Sequence, residues 1–261
     1  QALWDEMVLL GWAGIAVPEA CGGSGLGIGA LVPVVESMGR AMLGTPLISS
    51  ALAAQLLLKA GNSEQTDRLL PAIAGGSPAT VALLDNSDWG DETVSLLLDE
   101  ERILHGSKKF VPDASVASVV VVSVVHQGAV ALAIVRADQL NDGAICPNTL
   151  IDQTKRSANV DFSGVMVDEN NLITGPKVAA ALGDTRLLGA LLVAAEATGA
   201  SAACLDTIVE YLKTRKQFGK LIGSYQALKH PTVDILTAMD SSRSFIYHAA
   251  TLLEEGVVDA D

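Results

Sequence analysis

Cysteine is scarce and odd in number: the 261 residues hold three, Cys21, Cys146 and Cys204, far apart and in no CxxC pair. That argues against a disulfide framework or a structural zinc site and fits a reducing compartment, taken here as the cytoplasm. All three are expected to be buried thiols. Basic residues are outnumbered, 17 against 30 acidic, for a formal net charge of −13. Such a surface repels phosphate backbones and anionic lipid headgroups, which disfavours roles on nucleic acid or at a membrane surface. The most apolar stretch, Val116 to Val125, is too short to cross a bilayer and reads as a buried strand, so no membrane span is expected. The four histidines, at positions 105, 126, 230 and 248, show no HExxH or other metal spacing, and no metal is expected. No GxSxG elbow or Cys/His pairing points to a nucleophile. Internal repeats and low-complexity tails are missing too. The start, Gln1-Ala2-Leu3-Trp4-Asp5-Glu6, has neither signal-peptide regions nor an initiator Met, so the chain is expected to begin inside a larger protein.

What is present is a chain with 49% hydrophobic residues, able to bury a real core in one large domain or two to three small ones. Residues 1–78 read as a helical domain interrupted by a glycine-rich loop. There Leu31, Val34, Val35 and Met38 fall on one helical face, and Asn62 and Gln65 are placed to cap the next helix reciprocally. Residues 79–174 change to β-branched runs split by turn signals: Thr80 to Leu84, Val94 to Leu98, Val116 to Val125, Ala129 to Val135 and Asn159 to Phe162. They are expected to form a central antiparallel barrel or sandwich. Residues 175–261 return to helical period, with one helix from Lys177 to Lys216 and a second from Tyr225 to Glu255. This order is that of an α+β chain rather than an alternating βαβ enzyme. The last helix is expected to leave an apolar face uncovered.

Three stretches bear on chemistry. Gly25-x-Gly27-x-x-Ala30 matches part of a dinucleotide fingerprint, but Pro18 precedes it, no strand follows it, and Thr45 to Ser50 offer no acidic residue for a ribose. It reads as a plain glycine loop entering a helix. The string from Thr214-Arg215-Lys216-Gln217-Phe218-Gly219 to Tyr225-Gln226 sets a guanidinium and two carboxamides at a helix–turn–helix corner. Such fork-shaped donors suit a diphosphate; a basic helix end answering its own dipole, stopped by glycine, explains the same residues equally well.

The corner, extended through Ala227-Leu228-Lys229-His230, closely resembles the flavin-contacting corner of the acyl-CoA dehydrogenase family. Val17-Pro18-Glu19-Ala20-Cys21-Gly22-Gly23-Ser24-Gly25 resembles the family's Pro-Glu-x-x-Gly-Gly-x-Gly loop, and Gly61 to Gln65, Leu70-Pro71 and Gly75 resemble its helical linker. The resemblance covers nearly the whole chain, as a divergent, actinobacterial-type member or subunit truncated at both ends. It implies an N-terminal helical domain, a central β domain, an incomplete C-terminal helical bundle, and FAD as cofactor. It makes Arg215, Gln217, Phe218 and Gln226 the cofactor-binding candidates, acting on FAD held by the neighbouring subunit of a homo- or hetero-oligomer. The implied reaction is α,β-dehydrogenation of an acyl-CoA thioester, with electron-transfer flavoprotein as a further partner.

The chain also departs from the family. Where most members have Thr-Glu-Pro-x-x-Gly-Ser after the first strand, this one has Leu83-Leu84-Asp85-Asn86-Ser87-Asp88-Trp89-Gly90-Asp91. In the segment Gly106 to Ala114, Pro112 replaces the flavin-touching Thr and offers neither hydroxyl nor backbone N–H, while Phe110 and Asp113 keep the framework. The positions of the alternative base and the substrate-contacting Arg fall at Gly189 and Ala190, so no catalytic residue is assigned. Asp184 and Arg186, a turn earlier, are the substrate-binding candidates. Glu196 reads as a helix-packing or partner contact. Three readings stay open: a dehydrogenase whose base lies beyond Asp261, a degenerate subunit lending its corner to a partner's FAD, and a non-enzymatic acyl-CoA-binding scaffold.

Overall fold

The computed structural model describes residues 2–88 and 90–255. Its helices are α1 (Ala2–Leu9), α2 (Leu31–Arg40), α3 (Leu47–Ala60), α4 (Ser63–Ala74), α5 (Lys177–Thr214) and α6 (Gln226–Glu255). Its strands are β1 (Ala79–Ala82), β2 (Leu97–Leu98), β3 (Leu104–His105), β4 (Ser107–Pro112), β5 (Val119–His126), β6 (Ala129–Arg136), β7 (Ile145–Pro147), β8 (Ser157–Asp161), β9 (Leu172–Ile173), β10 (Lys216–Gln217) and β11 (Lys220–Leu221). Helices thus stand at both ends of the chain with sheet between them, as the hydrophobic periodicity indicated. The contacts divide the chain into two compact units, Gln1–Leu26 with Gly44–Gly189, and Gly27–Leu43 with Ala190–Asp261.

In the first unit the expected reciprocal cap opens α4: the Gln65 N–H donates to Asn62 Oδ1 at 2.9 Å and the Asn62 N–H to Gln65 Oε1 at 3.0 Å. The sheet is organised around β5. Its valines pair antiparallel with β6, and its other edge takes both β1 and β2, in parallel. This differs from the all-antiparallel expectation, because a valine run announces a buried strand without stating its partners' direction. The second sheet, β4-β8-β7, is antiparallel. Among the described residues neither sheet closes into a barrel; the two share one core, with Val120, Val122 and Val124 of β5 packed with Val111 of β4 and Val160 of β8. On the opposite face of β5, Val121 joins Leu56, Leu57 and Leu70 of the helices. A strand covered on both faces needs apolar residues throughout, which is why Val119 to Val125 hardly alternates.

One charge is sealed into this core. Lys108 is fully buried, and its ammonium donates to Asp85 Oδ2 at 2.5 Å and to Ser123 Oγ at 2.9 Å. Burial pushes the Lys108 pKa below the ordinary lysine value, and the Asp85 carboxylate opposes that shift. The other Asp85 oxygen accepts the N–H of Leu96 at 2.9 Å, so Asp85 fixes both β4 and the approach to β2.

In the second unit α2 meets the later part of α5 through glycine. A Cβ at Gly39 would stand 1.9 Å from the Glu196 carbonyl oxygen, and one at Gly199 would stand 1.8 Å from that of Glu36. The Glu36 carboxylate in turn accepts from Arg243 Nε at 2.7 Å and from the Tyr247 hydroxyl at 3.1 Å, fastening α6 to α2. The Gly29 N–H donates to the Glu254 carboxylate at 2.6 Å, so the glycine loop holds the chain's own anion before α2. On α6, Ile246 and Ala250 are buried, while Val233, Ile235, Leu236 and Phe245 are exposed; at helical spacing these four lie on different sides of the helix rather than along one face.

Two expectations need correction. Cys21 is buried, but Cys146 and Cys204 are exposed, the first on the edge strand β7 and the second on the outward side of α5; all three are free. The length test that Val116 to Val125 fails is passed by α5, whose most apolar window has a mean hydropathy of 1.6 with 44% of it buried inside the protein. Leu182, Leu188, Leu192 and Ala195 lie in the core, which accounts for the apolar character of that helix.

Gly199→Ala is expected to cost about 1–3 kcal/mol in denaturant unfolding, because the helices must part to admit the methyl group; an unchanged midpoint would contradict the close crossing. Asp85→Ala, which strands the Lys108 ammonium, is expected to cost about 3–5 kcal/mol, and Lys108→Met with Asp85→Asn much less. Equal losses in the two proteins would show that the pair is not what holds these strands.

Candidate functional site

The corner after α5 is built by backbone. The Arg215 N–H closes the last turn on the Tyr211 carbonyl at 2.9 Å, and the Ile222 N–H returns to the Arg215 carbonyl at 2.9 Å. Between them β10 and β11 pair antiparallel across the two-residue turn Phe218-Gly219. Both turn residues are left-handed, at φ 54° and 79°, the conformation a tight hairpin of this kind demands. Glycine accepts it freely. Phenylalanine does not, and here its ring is also 91% exposed. Neither the strained backbone nor the bare ring stabilises the turn by itself. The Tyr225 hydroxyl donates to the Gln217 carbonyl at 3.3 Å, and Lys220 Nζ lies 4.5 Å from the Tyr225 ring centroid, bracing the hairpin against the start of α6.

The side chains of Arg215, Gln217 and Gln226 are exposed and make no hydrogen bond or ion pair among the described residues. The structure thus brings three of the four cofactor candidates together on one braced hairpin, with Gln226 opening the helix that follows. The electrostatics are local and strong. Of the 17 basic residues, five (Lys213, Arg215, Lys216, Lys220 and Lys229) fall within 213–229, where there is no acidic residue, in a chain of net charge −13. Among the described residues only Lys213 is spoken for by a carboxylate, that of Glu210 at 2.8 Å. Such a corner attracts a multiply charged anion and offers it a fork and two carboxamides.

The β-domain segments that the resemblance assigns to the flavin are different. After Asp85, the loop satisfies itself: the Asp88 N–H donates to Asn86 Oδ1 at 2.7 Å, the Gly90 N–H to Asp88 Oδ1 at 3.0 Å, and the Thr93 N–H to Asp91 Oδ1 at 2.8 Å. Asn86 Nδ2 donates to Asp91 Oδ2 at 2.6 Å. The hydroxyl and N–H of Thr93 and the Asn86 amide hold the Asp91 carboxyl below its usual pKa, so it stays charged. In β4 the backbone bulges between Lys108 and Val111, with Phe110 at φ 50° and Asp113 at φ 51°. The Phe110 N–H is taken by Asn159 Oδ1 at 3.2 Å, and Asp113 is locked by Ser49 Oγ at 2.8 Å and Arg156 Nε at 3.1 Å. The Pro112 carbonyl accepts from Thr80 Oγ1 at 2.6 Å.

Asp184 and Arg186 are not brought together. Two residues apart on α5, they point to different sides: Asp184 pairs with Lys59 of α3, and Arg186 reaches the Glu92 carboxylate at 2.7 Å and its carbonyl at 3.4 Å. The pinning of the Asp85-to-Glu92 loop by Arg186 went unseen in sequence, since nothing local signals a contact across 94 positions. A cavity of about 600 Å³ lined by Trp4, Leu9, Thr45, Val116 and Arg156 contains none of the candidate residues.

Comparison with known proteins gives the same family at both ends. Residues 1–77 match the acyl-CoA dehydrogenase N-terminal domain and residues 182–260 the acyl-CoA dehydrogenase C-terminal domain. Mitochondrial isovaleryl-CoA dehydrogenase of Solanum tuberosum is 27% identical over 273 residues, covering 98% of this chain and 66% of that protein. Among solved structures, a variant of the Tcur3481-Tcur3483 steroid ACAD is 31% identical with a TM-score of 0.84, covering 98% of this chain and 69% of that one. The ChsE4-ChsE5 complex from Mycobacterium tuberculosis is 26% identical with a TM-score of 0.84, covering 97% and 69%. The chain therefore spans about two thirds of the length of its relatives. With both terminal domains matched and this likeness running through the sheet between them, the chain belongs to the acyl-CoA dehydrogenase family.

Proposed function

We propose that this chain serves the FAD-dependent α,β-dehydrogenation of an acyl-CoA thioester as one subunit of an oligomer, presenting its Arg215 corner to FAD at the adjacent subunit. The observation that carries this reading is the set of exposed, unpaired side chains of Arg215, Gln217 and Gln226 on a hairpin braced by its own backbone. These donors fit a diphosphate: the guanidinium can grip two oxygens at once, and the carboxamides add neutral donors beside it. Bound FAD would supply the hydride acceptor for the oxidation. Phe218, exposed at the tip of the turn, would lie over the bound cofactor and keep water from it.

No catalytic residue is assigned. Gly189 and Ala190 offer neither carboxylate nor guanidinium at the α5 positions that the family resemblance gives to base and substrate contact. Asp184 and Arg186 stay the substrate-side candidates, and each would first have to leave its ion pair. The subunit arrangement we favour is a hetero-oligomer, as in the relatives described as the pairs Tcur3481-Tcur3483 and ChsE4-ChsE5. A cytoplasmic setting and an electron-transfer flavoprotein as the electron acceptor belong to the same reading.

In the assembled flavoprotein, Arg215→Ala is expected to weaken FAD binding by about 10- to 100-fold, the loss typical of one charge-assisted contact. Arg215→Lys should recover part of it. Thermal unfolding of the subunit should not move, since the side chain has no partner among the described residues. Equilibrium dialysis of FAD is the measurement, and an unchanged affinity in Arg215→Ala would refute the role of the corner.

A further inference from the structure

The two halves of the expected cofactor site disagree. The corner is basic and its Arg215 has no ion pair among the described residues, whereas the β-domain segments to which the family resemblance gives a flavin of this chain's own are acidic and closed. Between Asp85 and Glu92 stand four carboxylates, Asp85, Asp88, Asp91 and Glu92. Of the cations beside this segment, Lys108 is committed to Asp85 and Arg186 to Glu92, while Lys109, bridged to Leu84 through its backbone, has no ion pair among the described residues. The backbone N–H groups of Asp88, Gly90, Thr93 and Leu96 are all donated to Asp and Asn side chains of the same loop. In β4, Pro112 has no N–H to give and the N–H groups of Lys109, Phe110 and Asp113 are bonded within the domain. A flavin dinucleotide brings two diphosphate charges and ring oxygens that require donors. Here it would meet the carboxylates of Asp88 and Asp91, which have no ion pair among the described residues, and spent hydrogen bonds.

We infer that this chain does not hold FAD in its own β domain, and that the FAD touched by its Arg215 corner is seated in a chemically different subunit whose β domain keeps free donors. This rests on the corner reading proposed above and extends it from an oligomer to an asymmetric one, with one FAD for each pair of unlike chains. The constraint is structural rather than a matter of one missing hydroxyl. Freeing the loop's N–H groups for a ligand would mean releasing those held by Asn86, Asp88 and Asp91, and restoring a single Thr would leave the carboxylates in place.

The test is FAD stoichiometry, read by absorbance near 450 nm and by titration calorimetry. The full chain is purified alone, then co-expressed with the acyl-CoA dehydrogenase-type chain from its own genome that co-purifies with it. The inference expects no saturable FAD binding by the chain alone up to about 100 μM, weaker than micromolar affinity by roughly two decades. It expects one FAD for each pair of unlike chains in the complex. One FAD for each copy of the chain purified alone would overturn it, and so would two FAD per unlike pair. Arg215→Ala in the complex separates the two readings. Loss of flavin supports both, while retention of one FAD per pair refutes the corner reading and leaves the β-domain inference standing. A complex without any flavin refutes both.

Discussion

A fully buried lysine ammonium, that of Lys108, governs the β domain. An isolated charge there would cost several kcal/mol, so Lys108 requires an anion within hydrogen-bond reach, and Asp85 supplies it. That requirement fixes where β1 must release the chain. It also joins β4 to β5 through Ser123 and positions the entry to β2 through Leu96. With both its ends anchored by one carboxylate, the segment 86–95 has to close over a short path. It does so by successive Asp and Asn side chains that capture backbone N–H groups two residues on, the usual local chemistry of such turns. The loop's unsuitability for an anionic cofactor is therefore a consequence of how the core is held together.

The corner at the other end of α5 follows the opposite logic. There the hairpin is held by carbonyls and N–H groups, leaving the side chains of Arg215, Gln217 and Phe218 with no structural duty. Residues released from folding can be specialised for a ligand or a second chain, and residues absorbed by folding cannot. The same contrast separates Arg186 from Arg215. Both are guanidiniums belonging to α5 or its end, but one is consumed in pinning the Glu92 loop and the other is unpaired among the described residues.

Much of this was legible in the sequence, and the reasons differ by element. The order of helices and sheet could be read because Val119 to Val125 is buried on both faces while α5 and α6 keep helical period. The α4 cap could be read because its two partners are three residues apart. The parallel pairing of β1 and β2 with β5 could not, since pairing direction is decided by a partner 40 residues away for β1 (Ala79 with Val119) and 28 for β2 (Leu97 with Val125). The same holds for Arg186 and Glu92, and for Asp184 and Lys59: each residue looked available because its partner lies far along the chain. The corner was legible as a motif, but whether its side chains were already engaged could only be learned from the fold.

Phe218 bears on what the corner is for. A phenylalanine in left-handed backbone costs of order 1 kcal/mol, and an exposed ring adds apolar surface in water, so neither feature stabilises this subunit by itself. Asn or Gly would make the same turn without strain. The five basic residues around it repel one another, a further local cost in a chain whose remaining surface is acidic. Three unfavourable choices on one hairpin would be offset together by an occupant both apolar and anionic, as the proposed function supplies. An isoalloxazine ring joined to a diphosphate has that combination, whereas a helix end answering its own dipole would need neither the exposed ring nor the unpaired carboxamides.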